Sequence, residues 1–145
     1  MKVLLQRVLS SKVEVENKIV GKINKGLLVL VGFTDTDTSK EIDYMIDKII
    51  NLRIFDDENG VMNKSLLEVE GSILSVSQFT LYADASKGRR PSYTKALKGD
   101  KSILLYEEFN KKIKKLGINI ETGIFGEDMK VSLINDGPVT IMLER

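Results

Sequence analysis

The chain contains no cysteine and no histidine. These two absences exclude a thiol nucleophile, disulfides, Ser-His-Asp and Cys-His triads, and zinc sites built on His or Cys. Any chemistry falls to carboxylates, Lys, Arg, Tyr, hydroxyls, amides, backbone groups or the substrate itself. Long hydrophobic runs are lacking too. The longest, inside GLLVLVGF at 26–33, is far short of a membrane span. Only Val3, Leu4 and Leu5 form an apolar run before Gln6, too few for the hydrophobic region of a signal peptide. Charge of one sign is also missing: 22 Lys and Arg against 21 Asp and Glu leave a net +1. There is no overall pull toward nucleic acid or membrane, so any such partner must be recognised by a local patch. The expectation is a cytoplasmic protein with no cofactor, no metal and no membrane partner.

What is present is the composition of a globular protein, 42% hydrophobic and 30% charged over 145 residues. That length predicts one domain, 1–145, with a core that needs no covalent staples. Alternation predicts strands at 2–9, 12–15 and 18–23, with reversals near Ser10-Ser11 and Asn17, and a buried strand at 26–33. Thr38 followed by Glu41 reads as a capping box. Ile42, Met45, Ile46, Ile49 and Ile50 recur behind it at helical spacing, which predicts an amphipathic helix over 39–51. FDDENGVMN at 55–63 reads as a loop, 71–82 as a strand, and 84–100 as polar and irregular. A second helix, 102–116, carries Leu105, Phe109, Ile113 and Leu116 on one face, with Asp100 or Ser102 as its cap and Gly117 just past its end. Strands are predicted at 118–121, 129–135 and 139–143, the last two separated by NDGP. Many strands and two helices imply α+β, a mainly antiparallel sheet with the helices packed on it.

Three stretches have residue types suited to chemistry. In SVSQFTLYAD (75–84) the strand alternation inverts: Leu74 and Val76 share one side, then Gln78 and Thr80 take that side. This is either a strand end with those side chains bonded to nearby backbone, or the wall of a pocket. Thr80 is the obvious hydroxyl, but no histidine exists to activate it, and Asp84 is the nearest candidate base. ASKGRRPSYTKALKG (85–99) holds Lys87, Arg89, Arg90, Lys95 and Lys98, Tyr93, and no acid. It fits a solvated loop or a surface that neutralises phosphates while Tyr93 stacks on a base. NDGPVT (135–140) fits an ordinary reversal; alternatively, its Gly137-Pro138 pair exposes two carbonyl oxygens to a ligand cation. The lysines of KKIKK (111–115) read as a solvated helix face.

Together, MKVLLQRV at the start, SQFTLYAD at 77–84, KGRRPSY at 87–93, TGIFGEDMKVSL at 122–133 and NDGPVT at 135–140 resemble the D-aminoacyl-tRNA deacylases (D-tyrosyl-tRNA deacylase) from the first residue to the last. Glu127 departs from the pattern, which has a small residue such as Ala after Phe125-Gly126. The resemblance implies a homodimer with a barrel-like, mainly antiparallel β fold. It implies an active site at the dimer interface, with SQFTL from one subunit and Gly-Pro from the other. Ser77, Gln78, Phe79 and Thr80 would be catalytic. Gly137, Pro138, Met129, Phe125 and Asn135 would bind substrate, and Lys87, Arg89 and Arg90 would hold tRNA. The substrate would be tRNA carrying a D-amino acid, or glycine, and no DNA partner is expected.

The available chemistry suits that assignment. An aminoacyl ester is already activated, so it needs a placed water and donors for the developing oxyanion. Backbone N–H groups around Gln78, Phe79 and Thr80 can supply the donors. The ribose 2′-hydroxyl beside the ester can handle the proton without a protein base. The resemblance also implies a cis Gly137-Pro138 bond, which would serve as a rigid filter against L side chains. Two other classes are open. One is a non-catalytic RNA-binding β domain using the same basic loop with Phe79 or Tyr93 as stacking platforms. The other is a metal-assisted hydrolase on Asp56, Asp57 and Glu58, although DDEN before Gly60 reads more simply as a solvated turn.

Overall fold

A computed structural model describes residues 1–145. Its first strand, β1 (Lys2–Val15), runs without the break expected at Ser10-Ser11. Ser11 is buried and donates its hydroxyl to Ser132 O at 3.0 Å, so the small polar pair continues the strand. The chain reverses at Glu16 and Asn17, both at positive φ, into β2 (Lys18–Ile23), which pairs antiparallel with β1. Then β3 (Gly26–Gly32) pairs antiparallel with the first half of β1.

Helix α1 (Ser39–Asn51) begins where the capping box places it, with Thr38 as N-cap. Thr38 N–H donates to Glu41 Oε2 at 2.9 Å, and Lys40 N–H donates to Thr38 Oγ1 at 3.2 Å. Its five apolar residues from Ile42 to Ile50 are all buried. They join Val3, Leu5, Val29, Phe109 and Ile113 in one main core. The stretch 55–63 is more ordered than the expected loop: β4 (Phe55–Asp56) and β5 (Met62–Lys64) form a small hairpin turning at Gly60, φ +75°.

β6 (Ser72–Ser77) pairs parallel with β3 and ends five residues before the predicted boundary at 82. Phe79–Tyr82 is a turn of 3-10 helix. The inverted alternation at Gln78 therefore marks where the strand stops. Helix α2 (Gly99–Lys115) starts three residues earlier than expected, with Lys98 and neither Asp100 nor Ser102 at the N-cap. Gly117 follows its end at φ +79°, as anticipated. β7 (Ile120–Thr122) pairs parallel with β6.

The last strand, β8 (Lys130–Glu144), corrects the reading of NDGP as a reversal between two strands. It pairs antiparallel with β1 along both halves, Val13 with Val131 and Val3 with Leu143. The order β2-β1-β3-β6-β7, with β8 on β1, curls into a nearly closed barrel. Closure is tight: a Cβ on Gly21 of β2 would lie 2.7 Å from Thr122 O of β7. The architecture is α+β, two helices on a barrel-like sheet, antiparallel apart from the β3-β6 and β6-β7 pairs. No helix is long and apolar enough to cross a membrane.

Candidate active site

At the ends of β3 and β6 the sheet opens into a cleft of about 610 Å³. Val31, Gly32 and Phe33 form one side, Val76 to Phe79 the next, and Phe125 to Met129 the third. Gly32 is required by packing: a Cβ there would sit 2.9 Å from Gln78 O. Gln78 N–H donates to Val31 O at 2.7 Å, which fixes the chain as it leaves β6. Of the three amides expected to act as donors, that one is therefore already paired. Those of Phe79 and Thr80 open the 3-10 turn, where no carbonyl precedes them in the helical pattern. The Gln78 Nε2 amide donates to Thr80 Oγ1, so the Thr80 hydroxyl is engaged by its neighbour.

Phe79 is 56% exposed and meets Tyr93 edge to face, with ring centroids 5.1 Å apart. Phe125 is backed by Tyr106 at 5.9 Å, and Tyr106 OH donates to Ser75 O at 2.8 Å. Burial raises the Tyr106 pKa, so this phenol stays a neutral prop behind the cleft wall. Asp84 is not a base for the cleft. Hydrogen bonding to the Ser86 side chain, and then to the Ser86 N–H at 2.9 Å, holds its carboxyl below the usual range. Asp84 also exchanges both backbone hydrogen bonds with Ser92, which ties the two ends of the basic loop. On that loop Lys87, Arg89 and Arg90 are exposed and outside the cleft.

Of the residues assigned from sequence, Ser77, Gln78, Phe79, Phe125 and Met129 line the cleft together. Thr80, one residue further along the turn, does not, and neither do Asn135, Gly137 and Pro138. These last three belong to a bulge in β8: Thr140 pairs with Gln6 and Asn135 with Val8, so residues 136–139 all stand opposite Arg7 alone. Asn135 Nδ2 donates to Thr140 Oγ1 at 3.0 Å across the neck of this bulge. The Gly137-Pro138 peptide is cis, and both residues are exposed. The β1–β3 register puts Arg7 beside Leu27, four residues from Val31. At about 3.3 Å per residue, the bulge is displaced roughly 13 Å along the strands from the cleft.

Arg7 was missed by sequence reasoning. Its side chain is 7% exposed and carries the bulge. Nε reaches Asp136 Oδ2 at 3.1 Å and Asp136 O at 3.3 Å, while Nη1 donates to Ile54 O at 2.7 Å and Asp56 Oδ1 at 3.1 Å. A signal existed: Arg7 continues the inward phase of Val3 and Leu5, and a charge there needs partners. The carboxylates proposed for a metal are engaged elsewhere. Asp56 pairs with Arg7, Asp57 accepts from the N–H groups of Asn59 and Val61, and Glu58 pairs with Lys64. No three carboxylates converge on a point where an ion would sit.

The family model described as D-Tyr-tRNA(Tyr) deacylase matches residues 4–144. D-aminoacyl-tRNA deacylases of Bacillus pumilus (strain SAFR-032) and Clostridium botulinum (strain Langeland / NCTC 10281 / Type F) are each 56% identical over 144 residues. The match covers 99% of this chain and 98% and 97% of theirs. The solved c-Myc DNA Unwinding Element Binding Protein superposes with TM-score 0.94 at 39% identity, covering 100% of this chain and 99% of that one. A probable eukaryotic D-amino acid tRNA deacylase shares the fold, with TM-score 0.84 at 22% identity over 98% and 97% of the two chains. Matched along nearly its whole length by this family model and by these relatives, the protein belongs to the D-Tyr-tRNA(Tyr) deacylase family.

Proposed function

We propose that the protein hydrolyses the ester of D-aminoacyl-tRNA, and of glycine mischarged on tRNA, to free tRNA and the amino acid. The cleft takes the 3′-terminal adenosine and its aminoacyl group. Water adds to the ester carbonyl carbon, and the negative charge that develops on its oxygen meets the N–H groups of Phe79 and Thr80. Preorganised donors of this kind contribute about 2.7–4 kcal/mol each to lowering a barrier. The carbon–oxygen bond to the ribose then breaks and the 3′-oxygen is reprotonated. The neighbouring 2′-hydroxyl relays the proton, which suits a site with no histidine. Lys87, Arg89 and Arg90 hold the acceptor stem through its phosphates, which position RNA without reading its sequence.

The L enantiomer is rejected by the Gly137-Pro138 carbonyls of a second protomer. They receive the substrate ammonium and occupy the space an L side chain needs, while D side chains and the hydrogen of glycine point away. Two features support a dimer. The bulge is exposed and distant from its own cleft. None of the fifteen residues of β8 is buried within the protomer, and Ile134 and Met142 on it are more than half or half exposed. A cytoplasmic location goes with a tRNA substrate.

The observation that carries the proposal is the turn after β6, where Ser77, Gln78 and Phe79 line the cleft and two free amides follow a strand end, in a chain of this family. Purified protein incubated with D-tyrosyl-tRNA is expected to release tyrosine over many turnovers. Binding without turnover would instead favour a non-catalytic RNA-binding domain.

A further inference from the structure

Beside the site lies a second cleft of about 460 Å³, to which Lys95, Lys98, Lys101, Asp35 and Asp100 all contribute. Ala96 and Leu97 line both clefts, so the two share a wall. That wall is fixed in place. Leu97 N–H donates to Phe33 O at 2.9 Å, Ala96 N–H to Tyr93 O at 3.0 Å, and Thr34 Oγ1 to Lys95 O at 2.7 Å. Leu97 also packs on the main core. A ligand crossing from one cleft to the other would meet a rigid surface.

The lysines are not placed for the fold. All three are exposed and none makes an ion pair, whereas Lys112 and Lys64 elsewhere are paired. Lys98 is the N-cap of α2 and Lys101 lies in its first turn, where positive charge opposes the helix dipole. Three lysines against two aspartates leave the cleft at formal +1. That balance suits one phosphodiester joined to a group that donates hydrogen bonds, and it suits a polyphosphate poorly.

We propose that this cleft is a second nucleotide subsite, an inference that rests on the deacylase reading of the first. With the terminal adenosine in the first cleft, the phosphodiester on its 5′ side crosses the Ala96-Leu97 wall and meets Lys95, Lys98 and Lys101. The preceding nucleotide occupies the second cleft. In tRNA that nucleotide is cytidine, whose exocyclic amine is a natural donor to the carboxylate of Asp35 or Asp100. The subsite thus grips the single-stranded end common to all tRNAs, independently of the amino acid.

The test compares two substrates, 3′-D-tyrosyl-adenosine and the D-tyrosyl trinucleotide CCA, with the Lys98→Gln/Lys101→Gln variant against the parent. The variant should lose about tenfold in kcat/KM on the trinucleotide, with a salt slope shallower by about 0.7 per lost contact, and should match the parent on the adenosine substrate. Equal losses on both substrates, or no loss on either, overturn the subsite. Binding of unacylated CCA and of adenosine, followed by NMR, decides the matter without turnover. The parent should bind CCA more tightly and the variant should lose that advantage. If the parent hydrolyses neither these substrates nor D-tyrosyl-tRNA, the deacylase reading fails, while the binding comparison still judges the cleft. Inorganic phosphate bound at the lysines with no preference for CCA over adenosine would make it an anion site unrelated to tRNA and overturn the proposal.

Discussion

Replacing Gly137 by alanine tests how the β8 bulge is built. Gly137 has φ +112°, a region that L side chains rarely adopt, and forcing one there costs about 1–3 kcal/mol. The new Cβ would also lie 2.9 Å from Arg7 Nη2 and 3.0 Å from Val139 Cγ2. A guanidinium tip on the surface would swing aside cheaply. This one is 7% exposed and held by Ile54 O, Asp56 and Asp136. Disturbing even one such charge-assisted bond adds about 1.5–3 kcal/mol. The sum, about 2.5–6 kcal/mol, divides between lost stability and a displaced bulge. If about 3 kcal/mol of it falls on the reacting complex, kcat/KM on D-tyrosyl-tRNA drops by more than about 100-fold. Urea unfolding and single-turnover deacylation of the same preparation measure the two shares. A Gly137→Ala protein with the parental midpoint and turnover within about threefold of the parent would refute the claim that Arg7 and the positive φ fix this segment.

Other outcomes follow from the same structure. Thr80→Ala should retain substantial deacylation, and a substrate ending in 2′-deoxyadenosine should be nearly inert; complete loss in the variant, with the deoxy substrate still cleaved, would make Thr80 the nucleophile. Arg89→Ala and Arg90→Ala should each weaken tRNA binding and flatten its dependence on log salt by about one unit of slope, checked by filter binding over a salt series; unchanged slopes would make the loop mere surface. Thr38→Ala should lower stability by about 1 kcal/mol at neutral pH through loss of the N-cap. Hydrogen bonding to Thr38 holds the Glu41 carboxyl below its ordinary value of 4.5. The box is therefore complete above that pH and fades as pH falls through the depressed folded value. Denaturation curves should show parent and variant converging in acid; a constant gap would contradict the pairing.

Local rules made much of this fold legible. Thr38, Glu41 and the spaced isoleucines specify α1 to the residue, because cap and periodicity agree. The inverted alternation at Gln78 located the cleft, although it was the end of a strand and not a strand with a polar face. What could not be read depends on partners distant in sequence. NDGP looks like a reversal because its composition is that of a turn. Only β1, pairing on both sides of it, makes β8 one strand with a bulge opposite Arg7. The start of α2 was misplaced because Lys98 carries no capping signal. The parallel pairing of β3 with β6 likewise has no local signature.

The most direct test of the central claim is a pair of rates measured under one set of conditions, hydrolysis of D-tyrosyl-tRNA and of L-tyrosyl-tRNA by the purified protein. The account predicts rapid release of D-tyrosine with L-tyrosyl-tRNA left largely intact. Equal rates on the two enantiomers, or no turnover of either, would contradict it.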